Sequence, residues 1–166
     1  MGGLGVGVFV CLALFQLPFS PAASGHFGAL AGAAPFDERP AGYTLSGVLE
    51  AFRLLGPQGI AGYTAYRCVD LVFPWLLCGL VASVMLRIDA PLATLFAWLA
   101  ATADTIENVL LWRILLTRDD LSPPLVQWAS VATQVKFALY AAMLVALVVA
   151  GVRLLWRLRR LRRAHP

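Results

Sequence analysis

Residues 125–152 read LVQWASVATQVKFALYAAMLVALVVAGV and contain a single charged residue, Lys136. About 20 consecutive apolar residues are enough for an α-helix to cross the hydrocarbon core of a bilayer. Pro123 and Pro124 precede the stretch and Arg153 follows it. Proline suits a helix start because its missing amide hydrogen costs nothing there. The stretch therefore predicts a membrane-spanning helix that carries one lysine.

Three more apolar stretches precede this one in the chain. They cover about residues 90–113, 69–87 and 3–20, and the stretch at 3–20 contains no charged residue. A short turn, residues 87–91, separates the stretch at 69–87 from the one at 90–113. These patterns predict an all-α polytopic membrane protein with four transmembrane helices, in which residues 1–166 form a single membrane domain.

The composition of the whole chain agrees with this architecture. Of the 166 residues, 60% are hydrophobic and 13% are charged, and the mean hydropathy is +0.78. A soluble domain carries roughly 25% charged residues, and a chain this short exposes much of its surface. The composition therefore excludes a soluble enzyme, a disordered tail and a disulfide scaffold.

Positive charge at the C-terminus sets the expected orientation. Six of the 13 basic residues lie in the tail 153–166, namely Arg153, Arg157, Arg159, Arg160, Arg162 and Arg163. Basic residues are enriched on the cytoplasmic side of membrane helices, where they contact phospholipid head groups. A nucleic-acid-binding arm is the alternative, but the adjoining apolar helix disfavours it. We expect a multi-pass inner-membrane protein with both termini cytoplasmic and residues 21–68 outside.

The first apolar stretch also has features of a secretory signal. Residues 4–17 form an apolar run, and small residues follow at 22–24. A secretory signal usually carries a basic residue before its apolar run, and none precedes this one. We therefore expect a retained first helix. Cleavage is the alternative, and it would leave the orientation of the other three helices unchanged.

The outer segment between the first two apolar stretches has two parts. Residues 21–42 are rich in Ala, Gly, Ser and Pro, which predicts a loosely ordered linker. Residues 43–66 predict an outer amphipathic helix that Thr44 caps and Gly56-Pro57 ends, followed by a second short helix from about Gln58. Its apolar positions recur at helical spacing: Leu45, Val48, Leu49, Phe52 and Leu55. We expect this helix to cap the bundle, and the alternative is that it lies on the outer membrane surface.

The cysteines and histidines do not indicate a metal or cofactor site. Cys11, Cys68 and Cys78 form no C-x-x-C pair, and their odd number argues against a disulfide framework. His26 and His165 lie far apart, in a loop and at the C-terminal end. A zinc site needs several convergent His, Cys or carboxylate ligands. We expect no metal and no cofactor.

Ionisable residues within the apolar stretches are the candidate functional groups, because charge within a bilayer is costly. Asp70 and Asp104 each lie 17 residues from Arg87. Lys136 lies the same 17 residues from Arg153. At a rise of 1.5 Å per residue, each charged group lies about 25 Å from the expected cytoplasmic boundary. Three helices therefore bring charged side chains to one level in the outer half of the bilayer.

Helical spacing extends this set of polar residues. Asp104, Glu107 and Asn108 are spaced i, i+3 and i+4, so they share one helix face. We predict a polar chamber that opens toward the outer face. Its expected acid–base residues are Asp70, Asp104, Glu107 and Lys136. Its expected binding residues are Arg67, Asn108, Tyr140 and Trp98.

The charges of this chamber admit two functional interpretations. Like charges close together in a low dielectric favour a proton on one carboxyl, and a neutral acid beside an ionised partner is the arrangement of general acid–base catalysis. The chamber would then bind an apolar, lipid- or isoprenoid-like molecule, or act on it by proton transfer. Alternatively, the chain is a non-catalytic membrane partner or assembly subunit whose charged pairs only join its helices. Whether it is an enzyme, and whether it forms homo-oligomers, stays open.

Four short motifs carry a family resemblance that covers about residues 43–140. They are Gly56-Pro57-x-Gly59, Tyr63-x6-Asp70-x2-Phe73-Pro74, Ala103-Asp104-x2-Glu107-Asn108 and Thr133-x2-Lys136. Together they resemble a family of small, uncharacterised four-helix bacterial membrane proteins, which implies a four-helix fold and no particular activity. The layout is also similar to that of emopamil-binding-type proteins, as an analogy of architecture only. Small multidrug transporters carry an essential Glu in their first helix, which this chain lacks.

Overall fold

The computed structural model describes residues 2–16 and 24–164, and the regular elements in these ranges are all helical. The α-helices are α1 (Gly2–Gln16), α2 (Ser24–Ala31), α3 (Leu45–Asp70), α4 (Phe73–Arg87), α5 (Pro91–Leu116) and α6 (Pro123–Ala164). A turn of 3-10 helix covers Phe36–Glu38. The predicted all-α fold class is confirmed.

Helix α5 lies at the centre of the bundle, with α4 and α6 packed against it. Ala93, Ala97 and Ala100 are buried on its inner face. Small side chains of this kind allow neighbouring helices to approach closely. Asp104 and Glu107 are also buried on α5, so the close packing of α5 directs both carboxylates toward neighbouring elements.

Helix α3 is bent at Gly56, whose backbone angles are φ 58° and ψ −174°. Glycine adopts a positive φ without the steric cost that other residues meet. Pro57 then starts the second half of the helix, where its fixed φ is already suitable. At the N-terminus, Thr44 Oγ1 accepts a hydrogen bond from Gly47 N at 3.2 Å. The predicted cap is present, and the predicted helix end at Gly56-Pro57 is a bend within α3.

The apolar face of α3 packs into the bundle. Val48, Phe52 and Leu55 are buried in one core that includes side chains from α5 and α6. This contact agrees with the capping role predicted for the helix. Leu49 is 47% exposed, so it does not take part in this packing. Ala51 is buried instead, because i, i+3, i+4 and i+7 positions starting from Val48 form the inner stripe.

The segment before α3 is more regular than its composition predicted. Helix α2 packs against α3, and Phe27 is only 3% exposed. The Phe27 ring centroid lies 5.4 Å from Phe36 and 4.8 Å from Tyr63. Aromatic burial of this size outweighs the flexibility of the surrounding Ala, Gly and Pro residues. The prediction of a loose linker is therefore wrong for residues 24–42, while residues 21–23 lie outside the described ranges.

Two helical segments are long and apolar enough to cross a membrane, judged by length and hydropathy. They are Leu45–Arg87, which joins α3 and α4, and Pro123–Arg160 within α6. Gly2–Leu14 is apolar but shorter. Much of the α6 surface is apolar and exposed, including Leu144 at 59% and Val145 at 63%. An unpartnered apolar surface of this length is what lipid would cover.

Two of the expected apolar stretches differ in detail from the helices. The stretch at 69–87 begins within α3, and a turn at 71–72 separates its start from α4. Pro74 lies at the start of α4, where its lack of an amide hydrogen prevents a continuous helix from α3. The end of the stretch at 3–20, beyond Gln16, lies outside the described residues.

Candidate functional site

Residues 35–43, here called the strap, carry a buried acidic residue into the helical bundle. Phe36 has no exposed surface, and its ring packs edge-on against Phe52 at 5.8 Å and Tyr63 at 5.7 Å. These aromatic contacts fix the start of the strap against α3. Asp37 follows directly and is 4% exposed.

The other end of the strap is held against α6. Tyr43 N donates a hydrogen bond to Ser130 Oγ at 2.9 Å, and Gln134 Nε2 donates to the carbonyl of Ala41 at 3.1 Å. Gly42 lies between these contacts with φ 80°, and a Cβ there would collide with Ser130 Oγ and Gln134 Nε2. The close approach of the strap to α6 therefore requires glycine at this position.

Arg67 joins the strap to α3 and α5. Its Nη1 lies 2.9 Å from Asp37 Oδ1 and 3.0 Å from Asp70 Oδ2. Its Nη2 donates to Asn108 Oδ1 at 2.6 Å. The planar, multiply donating guanidinium suits several acceptors at once. Because Arg67 has no exposed surface, these contacts replace the water that it would otherwise bind.

Asn108 connects the arginine to two carboxylates. With its oxygen accepting from Arg67, its Nδ2 donates to Asp70 Oδ2 at 3.0 Å and to Asp104 Oδ1 at 3.2 Å. The amide supplies an acceptor on one side and donors on the other, as this arrangement needs. Tyr140 donates from α6 to the second oxygen of Asp104 at 2.9 Å.

Lys136 is the second cation of the site. Its Nζ lies 2.5 Å from Glu107 Oε2 and 3.9 Å from Asp104 Oδ1, and it donates to the carbonyl of Asp37 at 2.9 Å. Thr133, one turn earlier on α6, donates to Glu107 Oε1. We call the connected set the polar network. Its members are Asp37, Arg67, Asp70, Asp104, Glu107, Asn108, Thr133 and Lys136.

Glu38 lies at the outer edge of the polar network. Tyr66 OH contacts Asp37 Oδ2 at 2.6 Å and Glu38 Oε1 at 3.2 Å. Partial burial raises the pKa of the Glu38 carboxyl above its ordinary value, and the neighbouring charge of Asp37 raises it further. The Tyr66 hydrogen bond and the positive charge of Lys136 act in the opposite direction without cancelling the shift. Glu38 therefore holds a proton to higher pH than a free glutamate.

The structure brings together most of the residues that the sequence singled out. The expected approach of Lys136 to Asp104 and Glu107 is present, and Arg67, Asp70, Asn108 and Tyr140 join them. Their catalytic and binding roles stay predictions.

Trp98 is the exception and needs correction. It is 44% exposed and packs beside Trp75, with ring centroids 6.2 Å apart. Nine residues separate Trp98 from Glu107, which places them about half a turn apart around α5. Trp98 therefore lies on a different face of α5 from Glu107.

Sequence reasoning missed Asp37, although a signal was present. Asp37 and Glu38 are the first charged residues of the chain, and they lie with Arg39 between Pro35 and Pro40. An acidic pair in such a setting indicates a local role. However, the helical spacing that grouped Asp104 with its neighbours gives no distance from a loop residue to a helix.

The polar network has more negative than positive groups. Among the described residues, the buried carboxylates are Asp37, Asp70, Asp104 and Glu107, and the buried cations are Arg67 and Lys136. Four carboxylates against two cations leave an excess of two acidic groups. A low-dielectric interior accommodates such an excess only if protons or another positive group neutralise it.

Among the described residues, two buried polar atoms at the polar network have neither a hydrogen-bond partner nor an ion-pair contact. They are Arg67 Nε and the hydroxyl of Tyr63. The guanidinium carbon of Arg67 lies 5.9 Å from the Tyr63 ring centroid, so the two groups are neighbours. Buried polar groups are normally satisfied, and these two therefore have free capacity for a further polar group.

Within residues 2–16 and 24–164, no group of three or more His, Cys, Asp or Glu side chains is arranged to hold a metal ion. Comparisons with protein-family models, curated proteins and solved structures found no match to this chain. The resemblance carried by the motifs at 63–74 and 103–108 therefore remains a prediction.

Proposed function

We propose that the chain is a four-span membrane protein whose polar network binds an apolar, lipid- or isoprenoid-like molecule and exchanges a proton with it. The long apolar segments Leu45–Arg87 and Pro123–Arg160 support the membrane location. In the proposed arrangement α1 and α5 supply the two remaining spans. The packing of α1 against α4, and of α5 between α4 and α6, supports this arrangement.

The excess of buried carboxylates is the observation that carries the proposal. Charged pairs that only join helices need no surplus acid, and an uncompensated buried carboxylate makes the interior less stable unless it holds a proton. A site that keeps protonated and ionised carboxyls side by side has what general acid–base chemistry uses. The free donor capacity of Arg67 Nε and Tyr63 adds a place for a polar end of the bound molecule.

Proton transfer can then move a double bond without an oxidant or a cofactor. A protonated carboxyl adds its proton to one carbon of an alkene, and an ionised carboxylate removes a proton from another carbon. Asp104 and Glu107 are suited to these roles because they lie one turn apart and both face Lys136. Lys136 and Arg67 would hold the ionised partners in place, and Asp70 and Asn108 would position Arg67.

Charge removal at single acids tests this proposal. Asp104→Asn and Glu107→Gln keep the side-chain shape, so we expect the melting temperature to stay near that of the wild type or to rise, since neutralisation relieves crowded negative charge. Lipids extracted from the purified variants should lack a molecule that the wild type retains. Mass spectrometry of the extracts measures this loss. Glu50→Gln is the matched control, because Glu50 pairs only with exposed Arg53 on the surface of α3.

A structural role is the second candidate, and the direct contacts of the charged groups favour it. Ion pairs join the strap to α3 and α5 to α6, and the hydrogen bond from Arg67 to Asn108 joins α3 to α5. If the pairs only hold the elements together, Glu107→Gln leaves Lys136 poorly paired. The loss of a buried partner typically costs about 3–5 kcal/mol. Combining it with Lys136→Met should then recover much of that stability.

The two candidates are separated by the same set of variants. A large fall in melting temperature for the single variants, recovery in the double variant and unchanged extracted lipids would establish the structural role and reject the binding site. Retained stability with loss of a bound molecule would establish the binding site and reject a purely structural role.

A further inference from the structure

A second site lies away from the polar network, at the N-terminal end of α5. Residues 88–93, with Phe96, face α6 residues from Ala142 to Arg157 across a groove of about 510 Å³. This volume lies within the range of about 300–1,000 Å³ that is usual for small-molecule sites. The site shares no residue with the polar network.

The walls of the groove are apolar over most of its length. Phe96 and Ala93 of α5 face Ala146, Val149 and Ala150 of α6. Along α6 the lining extends from Ala142 to Leu154, which is about 18 Å at 1.5 Å per residue. The groove is therefore an elongated apolar channel along α6, which suits an extended hydrocarbon chain better than a compact molecule.

Positive charge is concentrated at one end of the groove. Arg153 and Arg157 line it from consecutive turns of α6, and both are exposed. Neither makes an ion pair within 4.0 Å with a carboxylate of the described residues. Asp89 is the acidic residue of the lining, so positive charge prevails by two to one. Unpaired arginines at this place fit a phosphate group, whose oxygens accept two hydrogen bonds from a guanidinium.

We propose that this groove between α5 and α6 binds one anionic phospholipid, with its phosphate at Arg153 and Arg157 and an acyl chain along the apolar walls. The charge and the apolar channel are arranged in the same order as the head group and chain of a lipid. The position agrees with the expected cytoplasmic boundary, where anionic lipids attract basic residues. The proposal depends on the membrane location of α6 and not on the function of the polar network.

Binding to the purified full-length protein in nonionic detergent tests the proposal. Phosphatidylglycerol and phosphatidylcholine with identical acyl chains are added separately, and bound lipid is counted by native mass spectrometry. We expect phosphatidylglycerol to bind more tightly. Arg153→Gln and Arg157→Gln should each weaken its binding about fivefold, as expected for one basic residue near an anionic lipid surface. Asp89→Asn should strengthen it.

Matched variants separate a defined site from general attraction to the basic tail. Arg159→Gln removes the same charge two residues from Arg157, at a position that does not line the groove, and should leave binding unchanged. Ala146→Trp fills the groove and should prevent binding. Val148→Trp places the same side chain at a position that is 55% exposed and should not. If Ala146→Trp fails to fold, the comparison of Arg153→Gln and Arg157→Gln with Arg159→Gln still tests the proposal.

Three results would overturn the proposal. Equal binding of the two lipids would indicate a nonselective lipid layer. Equal losses for Arg157→Gln and Arg159→Gln would indicate diffuse attraction to the tail. Displacement of phosphatidylglycerol by inorganic phosphate at similar concentration would indicate a phosphate site without a lipid chain.

Discussion

Asp37 contributes to the polar network through both its side chain and its backbone. Its carboxylate contacts Arg67 and accepts from Tyr66, while its carbonyl accepts from Lys136. One residue of the strap therefore touches both buried cations. Because a backbone acceptor moves with the whole segment, the geometry around Lys136 depends on how closely the strap approaches α6.

Gly42→Ala tests this dependence on the strap. The backbone φ of 80° disfavours alanine, and the new Cβ would collide with Ser130 Oγ and Gln134 Nε2. A strained φ alone costs about 1–3 kcal/mol, so we expect a larger loss of unfolding free energy than that. Denaturant unfolding measures it. Gly32→Ala is the control, because Gly32 has φ 65° and a Cβ added there would meet no atom within 4 Å. Equal losses for the two variants would show that the contact with α6 contributes nothing.

Glu38→Gln tests the pH dependence at the edge of the polar network. The folded state raises the pKa of Glu38 above its ordinary value of 4.5, so the folded state binds this proton more tightly than the unfolded state. The contribution of Glu38 to stability is therefore most favourable below the unfolded pKa and is lost as pH rises through the folded pKa. Glutamine stays neutral and avoids this loss.

We therefore expect the unfolding free energy of Glu38→Gln relative to wild type to increase with pH and then level off above the folded pKa. Unfolding curves from about pH 4 to about pH 8 measure the difference. Asp120→Asn, in the exposed loop before α6, is the control for removing one acid. A difference that is independent of pH would contradict the raised pKa.

Residue spacing predicted much of the site because helices have a fixed geometry. The positions i, i+3 and i+4 place Asp104, Glu107 and Asn108 on one face whatever surrounds them. The equal depths of Asp104 and Lys136 follow from the constant rise of the two helices. Asp37 has no such periodic relation to Lys136, from which it is separated by 99 residues. Its place depends on aromatic packing of Phe36, which local patterns do not encode.

At the scale of elements, the bend in α3 allows one helix to serve two surroundings. Its first half packs Val48 and Phe52 into the core, and its second half carries Arg67 and Asp70 to the polar network. The bend at Gly56 reorients the second half relative to the first. In a straight helix the inward-facing residues would form one continuous stripe. The residues of the two halves could then not contact both the core and the polar network.

Gly56→Ala should destabilise the protein by about 1–3 kcal/mol, because alanine at φ 58° and ψ −174° is strained. There is open space around a Cβ at this position, so the effect reports the backbone alone. Gly47→Ala is the control within the same helix. Its Cβ would meet only Thr44 Oγ1 at 3.4 Å, and alanine in a regular helix should stabilise by about 0.5–1 kcal/mol. Thermal unfolding measures the stability of both variants. An unchanged stability of Gly56→Ala would show that α3 tolerates a straight path.

The sequence predicted where helices begin and end better than which faces are buried. Prolines mark the starts of α4, α5 and α6, and Gly56-Pro57 marks the bend, because both residues restrict the backbone locally. Trp98 was expected to line the chamber and is 44% exposed. In an apolar chain, hydrophobicity does not distinguish a face that contacts protein from one that contacts lipid.

At the scale of the whole molecule, the two proposed sites lie at different levels along α5. The polar network uses Asp104 to Asn108 in the middle of the helix, whereas the groove starts at the turn before Pro91 and reaches Arg157. The 88–90 turn and the basic part of α6 therefore lie on the same side of the bundle. The orientation predicted from the basic tail requires this arrangement, because it places the 88–90 turn and the basic part of α6 on the cytoplasmic side.

Reporter fusions test that orientation. An enzyme that is active only in the periplasm should be inactive when fused after Arg163, because basic residues next to a membrane helix are retained in the cytoplasm. The same enzyme should be active when inserted at Gly32, which is exposed between α2 and the strap. A reporter that is active only in the cytoplasm, placed at both positions, should give the reverse pattern and controls for expression. The opposite result would place the polar network near the cytoplasmic face and the arginine-lined groove near the periplasmic face. An anionic lipid of the inner leaflet would then be out of reach of Arg153 and Arg157.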